Sequence, residues 1–199
     1  MNRLQSYGFA GCVWLSLDLL RTRIFFPSAR LVKFPIFVRG RKWIFFGMHF
    51  SSGRGLRIEA FGDSGTVHPL IRIGTDVHIN DFVHIGAVES VSIGNRVLIA
   101  SHVFISDHNH GAYGRDGVHS DPRLPPNDRS LSSSPVTIED DVWLGEFVAV
   151  LPGVRIGKGS VVGTMSTVTR SIPPYCLAVG SPAQVIKRFN FETLEWEAV

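Results

Sequence analysis

A chain of 199 residues with 44% hydrophobic and 19% charged residues is long enough for one domain with a continuous core, and its composition excludes a disordered polymer. The net charge of +3 conceals an asymmetry: residues 1–57 carry ten Lys or Arg against one acid, Asp18, and the remainder carries ten against sixteen acids. That division excludes a general nucleic-acid surface and points to a local partner for the front end.

The first element in chain order is the apolar stretch Tyr7 to Leu20, interrupted by Asp18. It falls short of the roughly 20 residues that a membrane-spanning helix needs. No small-residue cleavage site follows, and Arg21 and Arg23 close the stretch, so a signal peptide is not expected. Two readings stay open. One is a helix packed on the body of the protein. The other is a helix lying on a membrane surface, with Trp14, Phe25, Phe26 and the nearby arginines at the headgroups. Cys12, within this stretch, and the distant Cys176 match no metal spacing and are expected as free thiols of a reducing compartment.

Beyond it a period of six sets in. Ile44 and Phe50 keep the spacing, although the glycine-rich run Ser51 to Pro69 suggests an irregular first coil. Ile73, Ile79 and Ile85 follow in phase; after a two-residue slip come Ile93, Ile99 and Ile105, and later Ile138, Leu144, Val150, Ile156, Val162 and Val168. Four residues after the aliphatic stands a β-branched or small residue: Val77, Val83, Val97, Val103, Val142, Val148, Val154, Ser160, Ser166. A helix would smear a six-residue period around its axis. Short strands joined by tight turns accommodate it, each strand burying its face only between the coils above and below.

The period breaks at Ser106-Asp107-His108-Asn109-His110-Gly111, and a loop runs on to about Ser134. Loops of this length without their own apolar period are commonly functional. Its Pro122, Pro125, Pro126, Asn127, Asp128 and Arg129 predict a structured cover. Histidine suits a general base at neutral pH, and the break supplies two candidates, His108 and His110.

The repeat, from about Ile71 to Lys187, resembles the hexapeptide-repeat acyltransferases. The stretches Asp141-Val142-Trp143-Leu144-Gly145 and Val179-Gly180-Ser181-Pro182-Ala183 are similar to the maltose, galactoside and xenobiotic O-acetyltransferase branch. The resemblance implies an all-β solenoid, a left-handed parallel β-helix with an N-terminal helical or irregular segment (1–57), the β-helix itself (58–188, loop 111–134) and a short helical cap (189–199). It also implies a homotrimer, with acetyl-CoA as donor. His110 is then the general base, favoured over His108 by counting from Ile105. The N–H of Glu146 is the oxyanion donor, a position where relatives often carry a small residue, and Trp143 lies across from the base on a neighbouring subunit. Asn80, with His78 and His108, would hold the acceptor; Gly145, Thr164, Thr169, Arg170 and Lys187 would hold CoA. Gln184 stands where some relatives carry arginine.

Asn80 is equally a routine corner residue, Trp143 an ordinary packing residue, and surface histidines such as His78, His84 and His102 are commonly incidental. The Ser106–Gly111 and Pro125–Arg129 signals are similar to bacterial enzymes acetylating O-antigen or capsule sugars, which implies a lipid-linked saccharide acceptor and a cytoplasmic protein, touching the membrane through residues 1–57. No nucleic acid and no metal are expected. Two rival expectations share the fold: a γ-class carbonic-anhydrase-like enzyme with three histidines around zinc, and a non-catalytic scaffold.

Overall fold

The computed structural model describes residues 3–114 and 118–199, and side chains from residue 8 onward. Helix α1, Arg3–Phe25, opens the chain and is kinked at Gly8. Short parallel strands then wind through three faces in a fixed order. The first face holds Leu31–Val32, Ser51–Ser52, His78–Ile79, Leu98–Ile99, Trp143–Leu144, Val161–Val162 and Cys176–Gly180. The second holds Ile36–Arg39, Leu56–Ala60, His84–Ala87, Phe104–Ser106, Ala149–Val150 and Thr167–Val168. The third holds Ile44–Phe46, Ile71–Ile73, Val91–Ile93, Val136–Ile138 and Arg155–Ile156. This is the solenoid that the six-residue period predicted, and the left-handed parallel β-helix that the family resemblance implied.

The register shows why the period matters. Ile79 pairs with Ile99 and Ile99 with Leu144, Ile85 with Ile105, and Ile93 with Ile138, so like stacks on like along each face. All twelve in-phase aliphatics are buried, as are the nine residues at the second position. Each full side-chain burial contributes about 1.5–3 kcal/mol against conformational entropy. At the corners several non-glycine residues take left-handed dihedrals, among them Phe82, His102 and Phe147. His102 lies stacked between the rings of Phe82 and Phe147, at 5.2 and 4.8 Å, so it packs a corner.

Coils begin at Leu31, inside the segment that charge marks off at residue 57. Ile44 and Phe50 are both buried, but Ile44 pairs with Ile71 and Ser51 with His78, which places them at the second inward position and not in the phase of Ile73. Ser52, paired with Ile79, takes the aliphatic position instead, and its buried hydroxyl has no partner among the described residues.

The expected C-terminal helix is absent. Ala183–Asn190 runs antiparallel to Cys176–Gly180, and Glu195–Ala198 pairs with it in turn, so a hairpin extends the first face. Phe189 packs against Phe191 and Trp196, at 5.1 and 5.4 Å. The aromatic contacts and the open sheet edge override the helical propensity of the Glu- and Leu-containing end.

Candidate functional site

Two excursions leave the coil, and both leave it between the second and third faces: residues 61–70 and residues 107–135. The second begins at Asp107, whose side chain is wholly buried. Its carboxylate accepts the backbone N–H groups of Val88, Glu89 and Ser90, at 2.9, 2.8 and 2.7 Å, clamping the same corner one coil earlier. It also lies 2.9 Å from Nδ1 of His108, with Ser106 Oγ at 3.2 Å from the same nitrogen. With Nδ1 donating to Asp107, a neutral ring has Nε2 as its acceptor.

From there His108–His110 pairs antiparallel with Leu131–Ser133 to form a projecting arm. Beyond the arm, Arg129 donates to the carbonyls of Leu124 and Pro122, and to the Tyr113 hydroxyl, while that hydroxyl donates to the carbonyl of His110. The excursion is therefore the structured cover that its prolines predicted, for the residues described; residues 115–117 lie outside them.

Strand alternation gives the arm two faces. His108 and His110 share one, towards the earlier coils. His108 is nearly buried, its ring edge-on to Phe61 at 5.7 Å and close to Gly86, where a Cβ would lie 3.4 Å from the imidazole. His110 lies farther out and is exposed, with no ring hydrogen bond among the described residues. Asn109 is on the opposite side, lining a groove of about 380 Å³ with Tyr113, Ser132, Leu151, Pro152 and Thr169.

Behind His108 lies a set that sequence reasoning missed. Glu59, buried on the second face, accepts from Arg57 Nε at 2.7 Å and sits 3.2 Å from Nε2 of His84. Burial opposes its charge, but hydrogen bonding and charge from Arg57, then His84, hold its carboxyl below the ordinary range. His84 in turn packs against Phe104 at 5.5 Å. Glu59 fell in the irregular run where no phase could be counted; its register with Gly86 is the signal that would have placed it.

The other residues singled out from sequence stand elsewhere. His78 and Trp143 lie in one column of the first face with Leu98 between them, and both are exposed. Asn80, Gly145, Glu146 and Thr164 lie at the corner between the first and second faces. There the Thr164 hydroxyl donates to the Glu146 carbonyl at 2.7 Å, while the exposed Glu146 N–H meets no acceptor among the described residues. Gly145 permits this stacking, since a Cβ would lie 2.7 Å from Thr164 N. Thr169 and Arg170 follow the second face, on the corner that carries the arm, and Lys187 is exposed on the C-terminal hairpin. One chain therefore brings His108 and His110 together but not with Trp143 or Glu146, and it divides the expected CoA residues among three places. Among the described residues, no three His, Cys, Asp or Glu side chains converge as metal ligands would. Cys12 and Cys176 are free thiols.

Comparison with known proteins bears on this arrangement. The family described as "Bacterial transferase hexapeptide (six repeats)" matches residues 135–170. The Escherichia coli (strain K12) protein named "Putative lipopolysaccharide biosynthesis O-acetyl transferase WbbJ" is 47% identical over 193 residues, covering 97% of this chain and 96% of its own. Among solved structures, a galactoside acetyltransferase in complex with coenzyme A is 29% identical with a TM-score of 0.52, covering 79% of this chain and 66% of that one. AntD, an N-acyltransferase from Bacillus cereus in complex with dTDP and 3-hydroxybutyryl-CoA, superposes with a TM-score of 0.66 at 18% identity, covering 82% and 81%. At that identity the likeness is one of fold alone.

Proposed function

Because the chain belongs to the hexapeptide-repeat transferases, we propose that it is an acetyltransferase that moves acetyl from acetyl-CoA to a hydroxyl of a bacterial surface-polysaccharide precursor. The acceptor class follows the relative assigned by name to lipopolysaccharide biosynthesis; the donor follows the relative structure that holds coenzyme A. A lipid-linked precursor places the protein at the cytoplasmic face of the membrane. His110 takes the proton of the acceptor hydroxyl, which attacks the thioester carbonyl in a ternary complex; the C–S bond then breaks and CoA leaves as its thiol, taking that proton back from His110. The oxyanion formed meets the N–H of Glu146, and Trp143 walls the cleft.

The observation that carries this reading is the division of the site. The exposed His110 ring and the unsatisfied Glu146 N–H occupy different corners of one triangular coil. A second copy placing its first-to-second corner against the arm joins the two halves, and a cyclic trimer does so three times. Asn80 and His78 would then border the acceptor, and Gly145, Thr164, Thr169, Arg170 and Lys187 would line a CoA groove shared between neighbours.

His110→Ala is expected to lower kcat by about 10²–10⁴, measured as CoA release with a saccharide acceptor, without changing the oligomer mass. Retained activity sinks the assignment of His110. One observation favours a second reading: Asp107 orients His108 as it would orient a catalytic base. Under that reading His108→Gln abolishes turnover and His110→Ala does not.

A further inference from the structure

Helix α1 is inside out. Its buried side chains include the polar Asp18 and Thr22, 1% and 2% exposed. Asp18 accepts from the N–H of Phe34 and from Arg54, at 3.2 and 3.0 Å; Thr22 accepts from the N–H of Val32 at 2.8 Å. The helix is therefore fastened to the first coil by polar contacts, with Leu15 and Leu19 half-buried beside them. Its apolar residues Phe9, Val13, Leu17, Leu20 and Ile24 recur at helical spacing along one stripe and are 78, 44, 38, 58 and 63% exposed, with Trp14 and Phe25 beside them. A helix that buries its polar side and presents a continuous apolar one has an occupant for that side.

Charge identifies the occupant. The one acid in residues 1–57 is Asp18, turned inward against Arg54, so the charges this region presents outward are positive. Arg21, Arg23, Arg39, Arg41 and Lys42 are exposed around the stripe and the first coil. A groove of about 640 Å³ beside the helix, lined by Trp14, Arg21, Phe34, Pro35, Ile36 and Arg54, mixes rings and cations as membrane-interface anchors do. A second copy of the same face would bring like charges together. None of the described helices is long and apolar enough to cross a membrane.

We infer that the stripe Phe9–Val13–Leu17–Leu20–Ile24, with its arginine flank, docks this protein on an anionic phospholipid surface. The helix would sit with its apolar side among the acyl-chain ends and its cations at the phosphates. The stripe shares no residue with the arm or with the corner of Gly145 and Glu146, so docking and acetyl transfer are separable.

The test is co-sedimentation of the full chain with vesicles of phosphatidylcholine alone or with about a third phosphatidylglycerol. Binding to the anionic vesicles is expected to exceed binding to the neutral ones at least tenfold, and to weaken severalfold in 0.5 M NaCl. Leu20→Glu/Ile24→Glu should lose at least tenfold in binding while keeping its melting temperature and its acetylation of a soluble saccharide. Arg23→Glu, which leaves the stripe intact, should lose the anionic preference alone. Three results overturn the inference: no binding of the wild-type chain to anionic vesicles, undiminished binding of the double-Glu variant, or a fall in oligomer mass in that variant. The last would assign the stripe to a second copy of the chain.

Discussion

Removing the Asp107 carboxylate tests whether one buried acid holds the arm in place. It accepts three backbone N–H groups and the His108 ring at 2.7–2.9 Å while being wholly buried. Hydrogen bonds to a charged group are each worth about 1.5–3 kcal/mol. The three donors lie in a partly exposed turn, so water recovers part of that in the variant. The net cost of Asp107→Ala is then roughly 3–5 kcal/mol, the range found when one partner of a buried pair is removed. For a chain of this size each kcal/mol lowers the melting temperature by about 2–4 °C, so a fall of roughly 10 °C is expected by circular dichroism. Because the arm starts at this residue, kcat should also drop at least about tenfold below the new melting point, even though Asp107 need not touch substrate. A variant that melts within about 2 °C of the parent and turns over normally refutes the argument.

Three further outcomes follow from single contacts. Ser52→Ala removes a buried hydroxyl without a partner and should raise stability by about 1 kcal/mol in denaturant titration; a loss would mean that the hydroxyl is satisfied in solution. Gly145→Ala pushes a Cβ onto the backbone of Thr164, costing about 1–3 kcal/mol and raising KM for acetyl-CoA if this corner carries the donor. Glu59 has a lowered folded pKa, so its contribution is complete above the unfolded carboxylate value of about 4.3 and is lost as pH falls through the folded value. Melting temperatures should therefore fall below about pH 4.3, and less so for Glu59→Gln.

The solenoid was legible because each position in the phase of Ile73, through Val168, is filled by an aliphatic residue, and the structure buries every one of them. The first coils were not, since Ser52 stands where the phase wants an aliphatic and Ile44 and Phe50 belong to the other inward position. Propensity misplaced the C-terminal cap: nothing local announces that Ala183–Asn190 will find the open edge of Cys176–Gly180. The inverted helix was half visible. Its apolar content and charge asymmetry are in the sequence, but which side faces inward depends on Asp18 meeting Arg54, a contact 36 residues away.

The site's polar set was hidden for a related reason. Residues 61–70 and 107–135 look like separate interruptions along the chain, with two full coils between them. A coil that closes on itself returns each corner to the same vertical line, one coil apart at about 4.8 Å per rung. Both interruptions leave by the same corner, with only Val88–Ser90 stacked between them, which is why Phe61 reaches the ring of His108 and why Asp107 can clamp the intervening turn. Function-bearing residues in such a fold are neighbours when they share a corner, whatever their separation in sequence. By the same rule His110 and Glu146, which do not share one, can act on one thioester only if another copy of the chain supplies the second corner.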